Sequence, residues 1–304
     1  MDIAMIGLGR MGGNMARRLA RGGHRVVACD PNDAARRALD GEPGVETVGS
    51  VTDAVAALTA PRMVWVMLPA GGVTDGVVAQ LRDLLAPGDV VVDGGNAFYK
   101  DSQQRSVLLA ERDLHFVDAG VSGGVWGITE GYGLMVGGSD ADVERLSPVL
   151  RTLAPTPDSG WVHAGPVGAG HFTKMVHNGI EYGLMQAYAE GFALLDARND
   201  LVADVGAVAE AWRDGTVIRS WLLDLAAGVL TKDPAMDDVA AVVADSGEGR
   251  WTVHEGVDLG VPLPVITAAL YDRYASQGHA DYGDKLLAKL RQSFGGHPVT
   301  PPGD

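Results

Sequence analysis

The sequence predicts a doubly wound parallel α/β sheet of the Rossmann type, followed by an all-α domain. Three observations carry this. Continuous apolar runs alternate with helix-period segments through the first half of the chain, as strands buried on both faces and joined by crossover helices require. A glycine-rich turn, GLGRMG, joins the first apolar run to the first helix. From about residue 170 the strand signal disappears and only helix-period segments remain. The 304 residues leave room for about two domains at roughly 100–200 residues each. The boundaries expected are 1–165 for the dinucleotide-binding domain, 166–290 for an all-helical domain, and 291–304 for a C-terminal tail.

In order along the chain, IAMIGLG is a buried strand, MGGNMARRLARGG a helix and RVVACD a second strand, and AARRALD reads as a short helix. MVWVMLP (63–69), VVVDGG (90–95) and HFVDAGVSGG (115–124) continue the strand series, with helical patterns between them. GYGLMVGG (131–138) and WVHAGPVGAGH (161–171) end the first domain. Beyond it AYAEGFALLDAR, VADVGAVAEAWRDG, SWLLDLAAGVL and VITAALYDRYAS are helices, and a polar, glycine-containing tail closes the chain.

Composition narrows the partners. Lys and Arg number 24 against 39 Asp and Glu, a net charge of −15. An acidic chain is a poor ligand for nucleic acid or an anionic membrane, although a few local arginines still make a pocket for a small anion. No uncharged apolar run reaches the ~18 residues of a membrane span. Met1 leads at once into an apolar strand, with no basic segment or cleavage site before it. Cys29 is the single cysteine, so no intrachain disulfide forms. That suits a reducing, cytoplasmic setting, with Cys29 as a small apolar strand residue.

Gly7, Gly9 and Gly12 have the G-x-G-x-x-G spacing between a strand and a helix. The first permits the tight turn, the second lets a pyrophosphate approach the backbone, and the third lets helix and strand pack closely. Leu8 and Met11 lie in the same turn. Asp30 ends the second strand, 18 residues after Gly12. A carboxylate there accepts hydrogen bonds from a ribose 2′-hydroxyl and repels a 2′-phosphate. The expected cofactor is NAD, with NADP the alternative. Arg36 and Arg37 follow, either in reach of a 2′-phosphate or on a solvated helix face.

The stretch HFTKMVHNGIEYGLM (171–185) reads as a buried helix that nevertheless contains Lys174, His177, Asn178 and Glu181. Spacings of three and four put these on one face. A charge in such a helix is costly unless it is paired or faces a polar cavity. The two readings are a structural pair (Lys174–Glu181 or His177–Glu181) and an acid/base couple beside a nicotinamide. Gly179 and Gly183 in the same helix suggest close approach by another backbone.

The chain contains the motifs GLGRMGGNMARRL, VVDGGNAFYKDS, DAGVSGGVWGITEGYGLMVGG, GAGHFTKMVHNGIEYGLMQAYAEG, DSGEGRWT and RQSFGGH. On these it resembles 6-phosphogluconate dehydrogenase (decarboxylating), within the β-hydroxyacid dehydrogenase superfamily, and its length looks like the family's short form. The resemblance implies oxidative decarboxylation of 6-phosphogluconate to ribulose 5-phosphate without a metal, as in the pentose phosphate pathway and gluconate utilisation. Lys174 matches the base and Glu181 the acid. Asn96 matches the residue that bridges nicotinamide and substrate. Leu68, Pro69 and Ala70 match the turn flanking the cofactor. Ser122, Gly123 and Gly124 match the loop for the substrate carboxylate, and His177 and Asn178 match groups on the sugar acid. Tyr182, Arg250, Thr252 and Arg273 match phosphate ligands. Arg291 and His297 match a pair that reaches a neighbouring subunit's site, which implies a homo-oligomer, dimer or tetramer. Two other readings remain: a non-decarboxylating dehydrogenase for an unphosphorylated acid such as 3-hydroxyisobutyrate, which does not require Arg250, Thr252, Arg273 and Arg291 together, and a non-catalytic dinucleotide sensor.

Overall fold

The computed structural model describes residues 1–301. They form two compact units, which divide between Met175 and Val176. In the first, the chain runs β1 (Asp2–Ile6), α1 (Arg10–Arg21), β2 (Arg25–Cys29), α2 (Asp33–Arg37), β3 (Val45–Val48), α3 (Val51–Ala56), β4 (Met63–Val66), α4 (Gly72–Leu84), β5 (Val90–Asp93), α5 (Tyr99–Ala110) and β6 (His115–Ser122). A 3-10 turn at Gly124–Trp126 and α6 (Gly127–Glu130) lead to β7 (Gly133–Gly137), α7 (Asp140–Leu153) and β8 (Trp161–Gly165).

One sheet takes the strands in the order β3-β2-β1-β4-β5-β6-β7-β8. Strand order reverses at β1 and β4, the doubly wound arrangement whose switch point offers a crevice at the carboxyl ends of the strands. The apolar runs have a direct cause. Met5, Trp65, Val90 and Val92 belong to one buried cluster, while Ala4, Ile6, Val64, Val66 and Val91 belong to another. Alternate residues of one strand therefore serve opposite faces, and both faces are buried under apolar neighbours.

The expected wholly parallel sheet needs one correction. β7 pairs antiparallel with β6, Asp118 opposite Gly137 and Ser122 opposite Gly133. The connection, residues 123–132, carries only a 3-10 turn and the four-residue α6, whereas a parallel return needs a crossover of about a dozen residues or more, usually with a longer helix. β3, VETV, was also absent from the sequence reading. It is a four-residue, partly exposed edge strand without the apolar run that marks the others.

α8 (Ala169–Ala197) carries the chain into the second unit, followed by α9 (Val205–Trp212), α10 (Trp221–Lys232), α11 (Glu248–Leu259), α12 (Pro264–Ser276) and α13 (Asp281–Gly295). Phe192, Ala209, Leu223 and Ala227 form one small core, and Tyr182, Ala269 and Leu270 another. The expected polar tail is corrected in part, because α13 includes Arg291. Its lysines and aspartates gave the segment a loop-like composition, yet Leu286, Leu287 and Leu290 have helical spacing. Gly296, with φ of 63°, ends the helix in the left-handed conformation that favours glycine, and His297 lies beyond it. Residues 302–304 of the expected tail lie outside the described residues. No helix among the described residues is long and apolar enough to cross a membrane.

Candidate active site

The nucleotide loop is built from the ends of β1, β2 and β4. Gly7 has φ of 96°, and a Cβ there would sit 2.5 Å from the Met67 carbonyl oxygen. A Cβ on Gly12 would overlap the Gly7 carbonyl oxygen, so this glycine is what lets α1 start against the strand end. Gly9 differs: nothing lies within 4 Å of where its Cβ would be. It is the N-cap of α1, no side chain caps that end, and the first turn, with Met11, holds no acidic residue. Backbone N–H groups and the helix dipole are therefore available to a pyrophosphate.

Asp30 Oδ2 accepts from the Leu8 backbone N–H at 2.8 Å and Oδ1 from that of Asn32 at 2.8 Å, which holds the carboxylate at the rim of the glycine loop. The open alternative for the arginines is narrowed. Arg36 donates to the Asp30 carbonyl at 2.7 Å and pairs with Asp33 at 2.9 Å. Arg37 also pairs with Asp33, at 2.6 Å. Burial, then neighbouring Asp30, push the Cys29 thiol up to about 11, so it remains an unreactive strand residue. Leu68, Pro69 and Ala70 follow β4. The Pro69 carbonyl accepts from Thr74 Oγ1 at 2.8 Å, and Leu68 packs against Gly7. These residues fit a dinucleotide.

Asn96 is exposed just beyond β5. Its loop is anchored by Asp93, which is fully buried. Asp93 Oδ2 pairs with Arg105 at 2.8 Å, and Oδ1 accepts from the Gly95 N–H at 3.1 Å. Ser122 ends β6, and Gly123 and Gly124 follow with φ of 129° and 51°, conformations that other residues rarely adopt.

Asp118 escaped the sequence reading. It lies on β6, fully buried, and accepts from the backbone N–H of Gly168 at 2.7 Å and of His171 at 2.8 Å. It thereby satisfies donors at the start of α8. Burial pushes its pKa up, against the opposing pull of His171 and these N–H groups. The signal was there: a lone aspartate inside an apolar strand must have partners. Lys174 follows one turn later, 9% exposed. A Cβ on Gly120 would overlap Lys174 Cβ, so bare backbone of β6 is where the lysine stem rests.

In the second unit, His177 Nδ1 lies 3.0 Å from Asn178 Oδ1 and 3.9 Å from Glu181 Oε2, with both of those side chains about 40% and 39% exposed. The His177–Glu181 contact is too long for a hydrogen bond, so it is a weak version of the structural pair. Asn178 Nδ2 donates to Glu248 Oε1 at 3.1 Å. A Cβ on Gly179 would stand 2.8 Å from the Thr252 side chain and one on Gly183 3.3 Å from that of Val265, so these glycines face side chains rather than another backbone.

Three of the expected phosphate ligands gather around Asp245. Tyr182 is buried, and its hydroxyl donates to Asp245 Oδ1 at 3.3 Å. Arg250 Nε pairs with Asp245 Oδ2 at 3.2 Å. The Arg273 guanidinium stacks 3.5 Å from the Tyr182 ring centroid, in cation–π contact, and donates to the Ala244 carbonyl at 2.7 Å. Thr252 is only 3% exposed and donates its hydroxyl to the Glu248 carbonyl at 2.8 Å, so binding an anion requires that proton to turn away. Arg291 and His297 are exposed. Asp245, the first residue of DSGEGRWT, and Glu248 carry no sequence signal for their parts, because Tyr182 and Asn178, their partners, lie far away along the chain.

Residues 2–164 match the family model for the NAD binding domain of 6-phosphogluconate dehydrogenase, and residues 170–292 match that for its C-terminal domain. A Haloferax volcanii protein named as an NAD(+)-dependent, decarboxylating 6-phosphogluconate dehydrogenase is 41% identical over 302 residues, 99% of each chain. The solved 6-phosphogluconate dehydrogenase of Plasmodium falciparum, described in apo form and in complexes with NADP+ and 6-phosphogluconate, superposes with a TM-score of 0.84 at 27% identity. It covers 100% of this chain and 67% of its own. A Mycobacterium tuberculosis 3-hydroxyisobutyrate dehydrogenase shares the fold, with a TM-score of 0.72 at 24% identity over 92% of this chain and 94% of its own. Glycine loop, lysine-bearing helix and both domain models agree: this chain belongs to the 6-phosphogluconate dehydrogenase family.

Proposed function

We propose that the protein catalyses the oxidative decarboxylation of 6-phosphogluconate to ribulose 5-phosphate and CO2, with NAD as the preferred oxidant. The observation that carries this reading is the grouping of Tyr182, Arg250 and Arg273 around Asp245. Two guanidiniums beside a tyrosine suit a phosphate, and a 3-hydroxyisobutyrate dehydrogenase has no use for them. Membership in the family supports it over its whole length.

The roles follow from the chemistry. Lys174 takes the proton of the substrate 3-hydroxyl. A nicotinamide held by the glycine loop and Asp30 would supply the acceptor for the hydride leaving C3. Protonated Lys174 then stabilises the negative charge on the ketone oxygen while the carboxylate leaves as CO2. Glu181 delivers a proton to C1 of the enediol. Asn96, His177 and Asn178 hold and orient the sugar acid, the backbone of Ser122, Gly123 and Gly124 receives its carboxylate, and Thr252 assists the phosphate ligands. Asp30 disfavours a 2′-phosphate, and Asp33 keeps Arg36 and Arg37 engaged.

A spectrophotometric assay with 6-phosphogluconate is expected to release one CO2 per NADH. kcat/KM with NAD should exceed that with NADP by about tenfold or more, the cost of placing a phosphate against one carboxylate. NADH without CO2 would favour the 3-hydroxyisobutyrate-like reading, and a preference for NADP would overturn the role of Asp30.

Arg291 and His297 complete the phosphate end from a neighbouring copy of the chain in a cytoplasmic homo-oligomer. Mixing inactive Lys174→Ala with inactive Arg291→Ala protein, after dissociation and reassociation, is expected to restore about a quarter of wild-type turnover. That is the proportion random pairing of a dimer with shared sites allows. No recovery would place Arg291 outside the partner's site.

A further inference from the structure

We infer that Glu248 is a positioning residue for substrate recognition: through the Asn178 amide it fixes which nitrogen of His177 accepts a hydrogen bond. The inference rests on the proposed function, since the sugar acid is what these two side chains would hold.

Glu248 opens α11, where a carboxylate also suits the helix dipole, and only 3% of it is exposed. One carboxylate oxygen lies 3.1 Å from the Asn178 amide nitrogen. An Asn side chain can turn end for end, because its oxygen and nitrogen have the same shape. A carboxylate, however, only accepts, so the end of Asn178 that faces Glu248 must be the NH2. The oxygen is then turned to His177 Nδ1, 3.0 Å away. An amide oxygen also only accepts, so Nδ1 carries the hydrogen. In the neutral imidazole, Nε2 is then the acceptor. A buried acid on α11 thus dictates the hydrogen-bonding polarity of two side chains on α8 without touching the substrate itself.

This polarity matters for a polyhydroxy acid. Each sugar hydroxyl offers one hydrogen and lone pairs, so a fixed pattern of donors and acceptors selects among epimers that a freely turning amide would not separate. Removing the anchor leaves Asn178 and His177 in place but lets both orientations compete.

The test is a double-mutant cycle on the full-length protein. Glu248→Leu, similar in bulk and unable to accept, is expected to lower kcat/KM for 6-phosphogluconate on the order of 30-fold, the effect of losing one charge-assisted hydrogen bond. NAD affinity should stay within about twofold. Glu248→Gln, whose carbonyl can still accept from the amide, should retain activity within about threefold. In an Asn178→Ala background, Glu248→Leu should cost about twofold or less, because its effect is routed through the missing amide. Equal costs in the two backgrounds, or a Gln variant as impaired as the Leu one, would overturn the inference. Should Glu248→Leu lack a cooperative melting transition, Glu248→Ala takes its place in the same cycle with the same criteria. Wild-type CO2 release tests the proposed function separately: it can succeed while the cycle fails.

Discussion

Replacing Lys174 with alanine is expected to lower kcat with 6-phosphogluconate on the order of 10³-fold, while the dissociation constant for NAD changes about twofold or less. The size follows from two contributions. A positioned general base is worth roughly 10²–10⁴ in rate, and a cation placed where charge develops on an oxygen adds to it. Lys174 is assigned both tasks, first taking the hydroxyl proton and then facing the ketone oxygen. The lysine is 9% exposed, so water does not readily substitute for it. NAD binding is expected to survive because the glycine loop and Asp30 are built from β1, α1 and β2. Steady-state kinetics with fluorescence titration of NAD make the comparison. A variant that keeps a tenth or more of the wild-type turnover would remove Lys174 from the mechanism.

Gly120→Ala is expected to lower kcat on the order of 10²-fold and to destabilise the fold by about 2 kcal/mol, although the substitution adds only a methyl group. The new Cβ would overlap Lys174 Cβ and come within 2.9 Å of the Gly170 carbonyl oxygen and 3.0 Å of Lys174 Cγ. Backbone cannot yield as a flexible side-chain tip can, so α8 must lift from β6 or the lysine stem must turn. The helix start resists lifting: Asp118 holds the N–H groups of Gly168 and His171, and a Cβ on Gly170 would itself stand 2.5 Å from the Asp118 carbonyl oxygen. Overpacking a close contact costs typically 1–3 kcal/mol, and a misplacement of about 1 Å at a catalytic group costs about 10² in rate. Thermal melting and kcat together test this. An alanine variant with unchanged melting temperature and turnover would show that β6 and α8 have room to spare.

How far the sequence carried can be seen residue by residue. GLGRMG was legible because its glycines act through local backbone geometry: Gly7 has a positive φ, Gly12 lies against the Gly7 carbonyl, and nothing crowds Gly9. The face formed by Lys174, His177, Asn178 and Glu181 was legible because helical periodicity is local. The family's motifs identified the chain because most of them are contiguous words. Asp118, Glu248 and Asp245 were not assigned roles, for a common reason. Each acts on residues far along the chain: Asp118 on Gly168 and His171, Glu248 on Asn178, Asp245 on Tyr182. No periodicity encodes such partners. The Arg36 question likewise stayed open until its guanidinium was seen bonded to the Asp30 carbonyl.

The sequence by itself determined the two kinds of domain, the dinucleotide loop and the residue types available for acid/base chemistry, since each depends on near neighbours or on the composition of a continuous run. Only the tertiary structure decided the direction of β7, the seat of Lys174 on Gly120, and the buried carboxylates that hold the helix start, the amide and the tyrosine. These arise where segments distant in the chain are packed together, and burial there forces every polar group to find a partner that one-dimensional order does not name.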